Sequence, residues 1–139
     1  MNEPLKIVLG RSMEATAQLH DRVEQYLKAE GVPESDIFAI LLGIEEIYTN
    51  VVKYNPKGGE RIEIRVRHEA DRVVAELTDF DSHRFDPREA PQAKLEMPLH
   101  ERKPGGLGIH IIRQMMNEVA YSYADRVSTV TLTRLIGKE

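Results

Sequence analysis

In the stretch IEEIYTNVVKY, residues 44–54, Glu46, Asn50 and Lys53 share one side of a helical pattern. A glutamate and an asparagine at i and i+4 project side by side, so a carboxylate and a neutral oxygen ligand can serve one centre. Such a pair suits a general base next to a hard cation, because Mg2+ prefers oxygen ligands. The same residues also describe the solvated side of an amphipathic helix, and periodicity alone does not separate the two. A second stretch, PGGLGIHIIR at 104–113, brings Gly105, Gly106 and Gly108 into the mouth of a helix, with Arg102 and Lys103 just before it. Glycines placed there admit an anion close to the backbone, with free amides and the helix dipole facing it. Turn geometry is the plainer use for them. The stretch is neither a P-loop nor a dinucleotide fingerprint, since it lacks the terminal Gly-Lys-Ser/Thr of the first and the spacing of the second.

Regular elements must position these residues. An apolar run at 5–9 ending in Gly10 reads as a strand. Ser12 caps a helix to about residue 30, stopped by Gly31, and Pro33, Ser35 and Asp36 open a second helix reaching about residue 54. In that second helix Ile37, Ile40, Leu41, Ile44, Ile47, Tyr48 and Val51 form one broad stripe. Ala39 and Gly43 precede Glu46 on the other side. A mid-helix glycine costs about 1 kcal/mol relative to alanine, and small residues there let something approach the backbone closely. The period then changes to two: strands are expected at 61–67 and 72–79, turned by Glu69-Ala70-Asp71. From 80 to 104 periodicity disappears among four prolines, which suits a lid or binding loop. A helix is expected at 107–118, with Ile109, Ile112, Met115 and Met116 on its core side, then strands at 119–123 and 127–136. The order implies one domain over 1–139, an α/β two-layer sandwich with a mainly antiparallel sheet and helices packed on one face.

Composition bounds the function. A net charge of −4 offers no basic field for nucleic acid, and the absence of cysteine excludes disulfides and thiolate sites. No apolar run approaches a membrane span and MNEPLKIVLG lacks the layout of a signal peptide, so a cytoplasmic protein is expected. The five histidines show no metal-ligand spacing.

Taken in order, E-x-x-x-N on a helix, an aspartate at a strand end, an irregular lid and GGLGI opening a helix resemble the Bergerat ATP-binding fold. That superfamily joins DNA gyrase, large heat-shock chaperones, histidine kinases and the mismatch-repair MutL proteins. Within it, EEIYTNVVKY, FDP and PGGLGIHIIRQMMNEVAY most resemble the bacterial anti-sigma-factor serine kinases, over nearly the whole chain. The resemblance implies a histidine-kinase-like ATPase fold with ATP and Mg2+ as cofactors. It implies that Glu46 is the base accepting a serine proton during γ-phosphoryl transfer and that Asn50 ligates Mg2+. Lys53, Arg102 and the loop Gly105, Gly106, Leu107 and Gly108 would meet phosphate, and Thr129 in the last strand would supply a hydroxyl near the adenine.

The family's Asp-x-Gly motif corresponds to LTDFDSHRFDP. Strand phase makes Asp79 the residue accepting the adenine amino group and puts Asp81 where relatives carry glycine. Alignment on Phe85-Asp86-Pro87 instead puts Phe80 at the aspartate position and Ser82 at the glycine. The function implied is an anti-sigma factor and serine-protein kinase, which phosphorylates a small antagonist protein and sequesters a sigma factor. The alternative is a partner-switching binding module that transfers nothing. Neither nucleic acid nor membrane is an expected partner, and relatives commonly form homodimers.

Overall fold

The computed structural model describes residues 3–54, 61–80 and 106–136. Strand β1 (Leu5–Gly10) leads through a 3-10 turn at Met13–Ala15 into helix α1 (Thr16–Ala29) and helix α2 (Glu34–Tyr54). Strands β2 (Arg61–Glu69) and β3 (Arg72–Asp79) precede helix α3 (Gly106–Met115), and β4 (Glu118–Ala124) and β5 (Val127–Leu135) close the chain. The strands form one sheet in the order β1-β2-β3-β5-β4, each neighbour antiparallel.

Local chemistry sets the joints. Ser12 caps the 3-10 turn by accepting from the Glu14 amide at 3.1 Å, as its sequence position suggests. Gly31 has φ +78, and the bonds from Gly31 N–H to Lys28 and from Val32 N–H to Leu27 complete a Schellman stop for α1. Asp125 and Arg126 both have positive φ, as a two-residue type I′ hairpin between β4 and β5 requires.

One face of the sheet carries the core. The alternation Ile62, Ile64, Val66 on β2 lies in register with Asp79, Leu77, Ala75 on β3 and with Ser128, Val130, Leu132 on β5. All are buried beneath the helices, together with Ile7 and Leu9 of β1. Fully burying one such aliphatic side chain contributes roughly 1.5–3 kcal/mol, so this face and the α2 stripe supply most of the driving force. The other face, with Glu63, Arg65, Arg67, Glu76, Thr78 and Thr129, is left to charges and hydroxyls.

Two expectations change. α3 stops at Met115 rather than near residue 118, because Asn117 is drawn to β5: its amide donates to Thr133 O and its side-chain oxygen accepts from Leu135 N–H, each at 2.8 Å. The side of α2 opposite the apolar stripe is also not a solvated face. A Cβ on Gly43 would stand 3.2 Å from Leu132 Cδ1, 3.4 Å from Met116 Cε and 3.9 Å from Ile112 Cγ2, so what approaches the backbone there is α3 together with β5. Ala39, on the same side, is buried as well. Residues 81–104, where the lid is expected, lie outside the described residues.

Candidate functional site

The antiparallel course of α2 and α3 decides which ends meet. Arg134 donates both to Asp36 Oδ1 in the first turn of α2, at 2.8 Å, and to the carbonyl of Met115 at the end of α3. Ile112 and Met116 then pack at Gly43, one to two turns further along α2. Continuing in those directions, the first turn of α3 (Gly106, Leu107, Gly108) runs toward the half of α2 that holds Glu46 and Asn50. The first amides of a helix have no intrahelical acceptor, so that turn presents donors and the positive end of a dipole.

Glu46 and Asn50 occupy this half of α2 in an unusual state. Asn50 is only 1% exposed. Its Nδ2 and the Oε1 of Glu46 are buried without a hydrogen-bond partner among the described residues. Orphaned buried polar atoms are costly, about 1–3 kcal/mol each, and call for an explanation such as a ligand. Burial also pushes the Glu46 carboxyl above its usual range, offset in part by the charge of Lys53. With the Asn50 amide turned so that its oxygen replaces its nitrogen, this half-desolvated pair would offer two oxygens to a hard cation beside a base. Among the described residues no group of three or more His, Cys, Asp or Glu is placed to hold a metal, so a cation here would draw its remaining ligands from substrate phosphates or water.

Asp79 ends β3 on the helix-facing side of the sheet and is 2% exposed. The guanidinium of Arg11 donates to its Oδ1, and another Arg11 nitrogen lies 3.4 Å from the carbonyl of Val51 in the last turn of α2. A single side chain thus spans from Asp79 to the residue next to Asn50. Phe80, the residue after Asp79, lies under the Arg61 guanidinium at 4.2 Å.

The structure therefore brings Glu46, Asn50 and Asp79 to one end of the helix–sheet interface, with the first turn of α3 directed toward them. Lys53 is exposed one turn beyond Asn50. Arg102 and Gly105 lie outside the described residues. Thr129 does not join the group. It points to the opposite face of the sheet, its hydroxyl 3.5 Å from that of Thr78. The hydroxyl on the correct face is that of Ser128, buried and directly opposite Asp79 in the ladder. Val130 and Leu132 share Ser128's phase, so the alternation of β5 already carried this correction. Arg11 and Tyr48 are the other additions. Tyr48 was read only as core, and nothing in the sequence marks a lone arginine after a strand.

A five-stranded antiparallel sheet covered on one face by helices, with E-x-x-x-N on the central helix and an aspartate at a strand end, defines a histidine-kinase-like ATPase architecture. Residues 11–134 match the histidine kinase-like ATPase domain, and the chain belongs to that family. Among curated proteins it is similar to the serine/threonine-protein kinase BtrW of Bordetella bronchiseptica. The two are 26% identical over 98 residues, covering 69% of this chain and 68% of that protein. Among solved structures it resembles the RsbU and RsbW domains of Rv1364c from Mycobacterium tuberculosis, with a TM-score of 0.67 and 22% identity. That match covers 99% of this chain and 34% of the other, so the chain spans about a third of that structure's length. At this identity the second likeness concerns the fold.

Proposed function

We propose that the protein is an ATP- and Mg2+-dependent serine-protein kinase of the anti-sigma type. It would phosphorylate a small antagonist protein and sequester a sigma factor in the cytoplasm, with nucleic acid and membrane as non-partners and a homodimer as its expected assembly. The observation that carries this is the orphaned pair Glu46 Oε1 and Asn50 Nδ2, buried on the helix toward which the glycine turn of α3 runs. Similarity to a serine/threonine-protein kinase supports it.

In this reading Asp79 accepts the adenine amino group, with Ser128 rather than Thr129 as the neighbouring hydroxyl. The amides of Gly105, Gly106, Leu107 and Gly108, with Arg102 and Lys53, hold phosphates. Asn50 would hold Mg2+ through its amide oxygen, and the ion would supply neutralisation of phosphate charge. Glu46 takes the proton from the substrate serine hydroxyl as that oxygen bonds to the γ-phosphorus. The bond from the γ-phosphorus to the β,γ-bridging oxygen breaks, and ADP leaves. A carboxyl held above its usual range is the better matched to such a base at neutral pH.

Mass spectrometry of the antagonist after incubation with protein and Mg-ATP tests this. Phosphoserine is expected, reduced at least ~100-fold by Glu46→Gln. No phosphoserine with wild type rejects the kinase reading, and equal phosphorylation by the variant rejects the role of Glu46. One sequence feature favours a second reading, a binding module without transfer: Asp81 stands where relatives carry the glycine that admits the adenine ring.

A further inference from the structure

Arg11 sits between Gly10, the end of β1, and Ser12, the cap of the following turn. Its side chain is 8% exposed and that of Asp79 is 3% exposed, so two opposite charges have been withdrawn from water together. A buried charge is tolerated only when paired and hydrogen-bonded, and Arg11 meets both conditions. Besides Asp79 it donates to the carbonyl of Val51. That carbonyl is one of the last four of α2, which have no intrahelical donor.

The backbone around Arg11 is fixed separately. Tyr48, fully buried on α2, has its hydroxyl 2.7 Å from Gly10 O and 2.8 Å from Ser12 O. The guanidinium therefore starts from a clamped backbone and joins the last turn of α2 to the end of β3. Those are the elements that carry Asn50 and Asp79. A loosely held carboxylate would meet a ligand at variable angle and depth. One gripped by a planar guanidinium that is itself tied to α2 stays aimed.

We infer that Arg11 is a positioning residue of the nucleotide site, which holds the Asp79 carboxylate as an acceptor for the base amino group at a fixed distance from α2. This rests on the reading of Asp79 as the adenine-contacting residue. The opposite role, a latch that occupies Asp79 and must leave before nucleotide enters, predicts the opposite sign.

Calorimetric titration of wild type and Arg11→Lys with Mg-ATP and with Mg-purine riboside triphosphate, which lacks only the 6-amino group, distinguishes these. Wild type is expected to prefer ATP by roughly tenfold, because the analogue lacks the amino group that would donate to Asp79. Arg11→Lys keeps the charge but not the fork, and is expected to lose most of that preference by binding ATP less tightly while binding the analogue nearly as before. Equal weakening toward both nucleotides indicates a merely structural residue and overturns the inference. Tighter ATP binding by the variant indicates a latch and also overturns it. Wild type without any preference, or without binding, overturns the reading of Asp79 itself. A measurement on the unmutated protein covers the case of a variant that does not fold. The Arg11 side-chain Nε–H signal in a nitrogen-15 NMR spectrum is expected to shift on adding ATP and not on adding the analogue. No shift with either contradicts the inference.

Discussion

The buried pair Arg11–Asp79 gives the clearest quantitative test of how the cleft is held. Arg11→Met takes from the Asp79 carboxylate the guanidinium that donates to it, in a place where its side chain is 3% exposed. Removing one member of a buried pair costs about 3–5 kcal/mol, mostly the desolvation of the charge left behind. Loss of the donor to Val51 O acts in the same direction, and the two together set an expectation near the upper part of that range. For a chain of 139 residues this lowers the melting temperature by roughly 10–20 °C. The double variant Arg11→Met/Asp79→Asn removes both charges, so most of the loss should return, leaving it within about 1–2 kcal/mol of wild type. Urea unfolding of the four proteins completes a double-mutant cycle, and a coupling of at least about 2 kcal/mol is expected. The reasoning is refuted if Arg11→Met unfolds within about 1 kcal/mol of wild type, or if the two losses simply add.

Three further outcomes follow from other parts of the structure. Because burial raises the Glu46 carboxyl, its ionised form opposes folding above the ordinary carboxylate range. Glu46→Gln should therefore melt at or above wild type at pH 7, with the gap closing near pH 4, while phosphotransfer is lost; thermal melts across pH read this. At Gly43 the three nearest atoms to an added methyl belong to the side chains of Leu132, Met116 and Ile112, and alanine gains about 1 kcal/mol of helix propensity. Gly43→Ala is thus expected within about 1 kcal/mol of wild type in urea, whereas Gly43→Leu should cost about 1–3 kcal/mol by forcing α3 outward. The hydrogen bond that His20 Nδ1–H donates to Glu45, at 2.6 Å, raises the pKa of His20 against a smaller opposing effect of desolvation. Its contribution is complete below the unfolded-state value of His and is lost as pH rises through the raised one. At this exposed position it amounts to less than about 1 kcal/mol, and His20→Gln should remove that slope from a pH series of melts.

The elements were legible because their signals are local. Period two on β2, the glycine at Gly31 and the alternating phases of β3 and β5 each depend on a few neighbouring residues. Residues that interact across the fold were harder to read. Whether Glu46 and Asn50 face water depends on where α3 lies, which no periodicity within α2 contains, and the small residues Ala39 and Gly43 are its traces in the sequence. The role given to Thr129 comes from resemblance, which lacks the ladder register that pairs Ser128 with Asp79. Arg11 was missed because its partners lie 40 and 68 residues away.

We propose that Asp79, Asn50 and Glu46 line a working ATP site. Calorimetric titration with ATP in the presence and absence of Mg2+ addresses it most directly, on wild type and on Asn50→Ala. Saturable heat at sub-millimolar nucleotide is expected for wild type, strengthened by Mg2+, and Asn50→Ala is expected to lose the Mg2+ dependence. The absence of any heat from the wild-type protein with Mg-ATP at those concentrations contradicts the account.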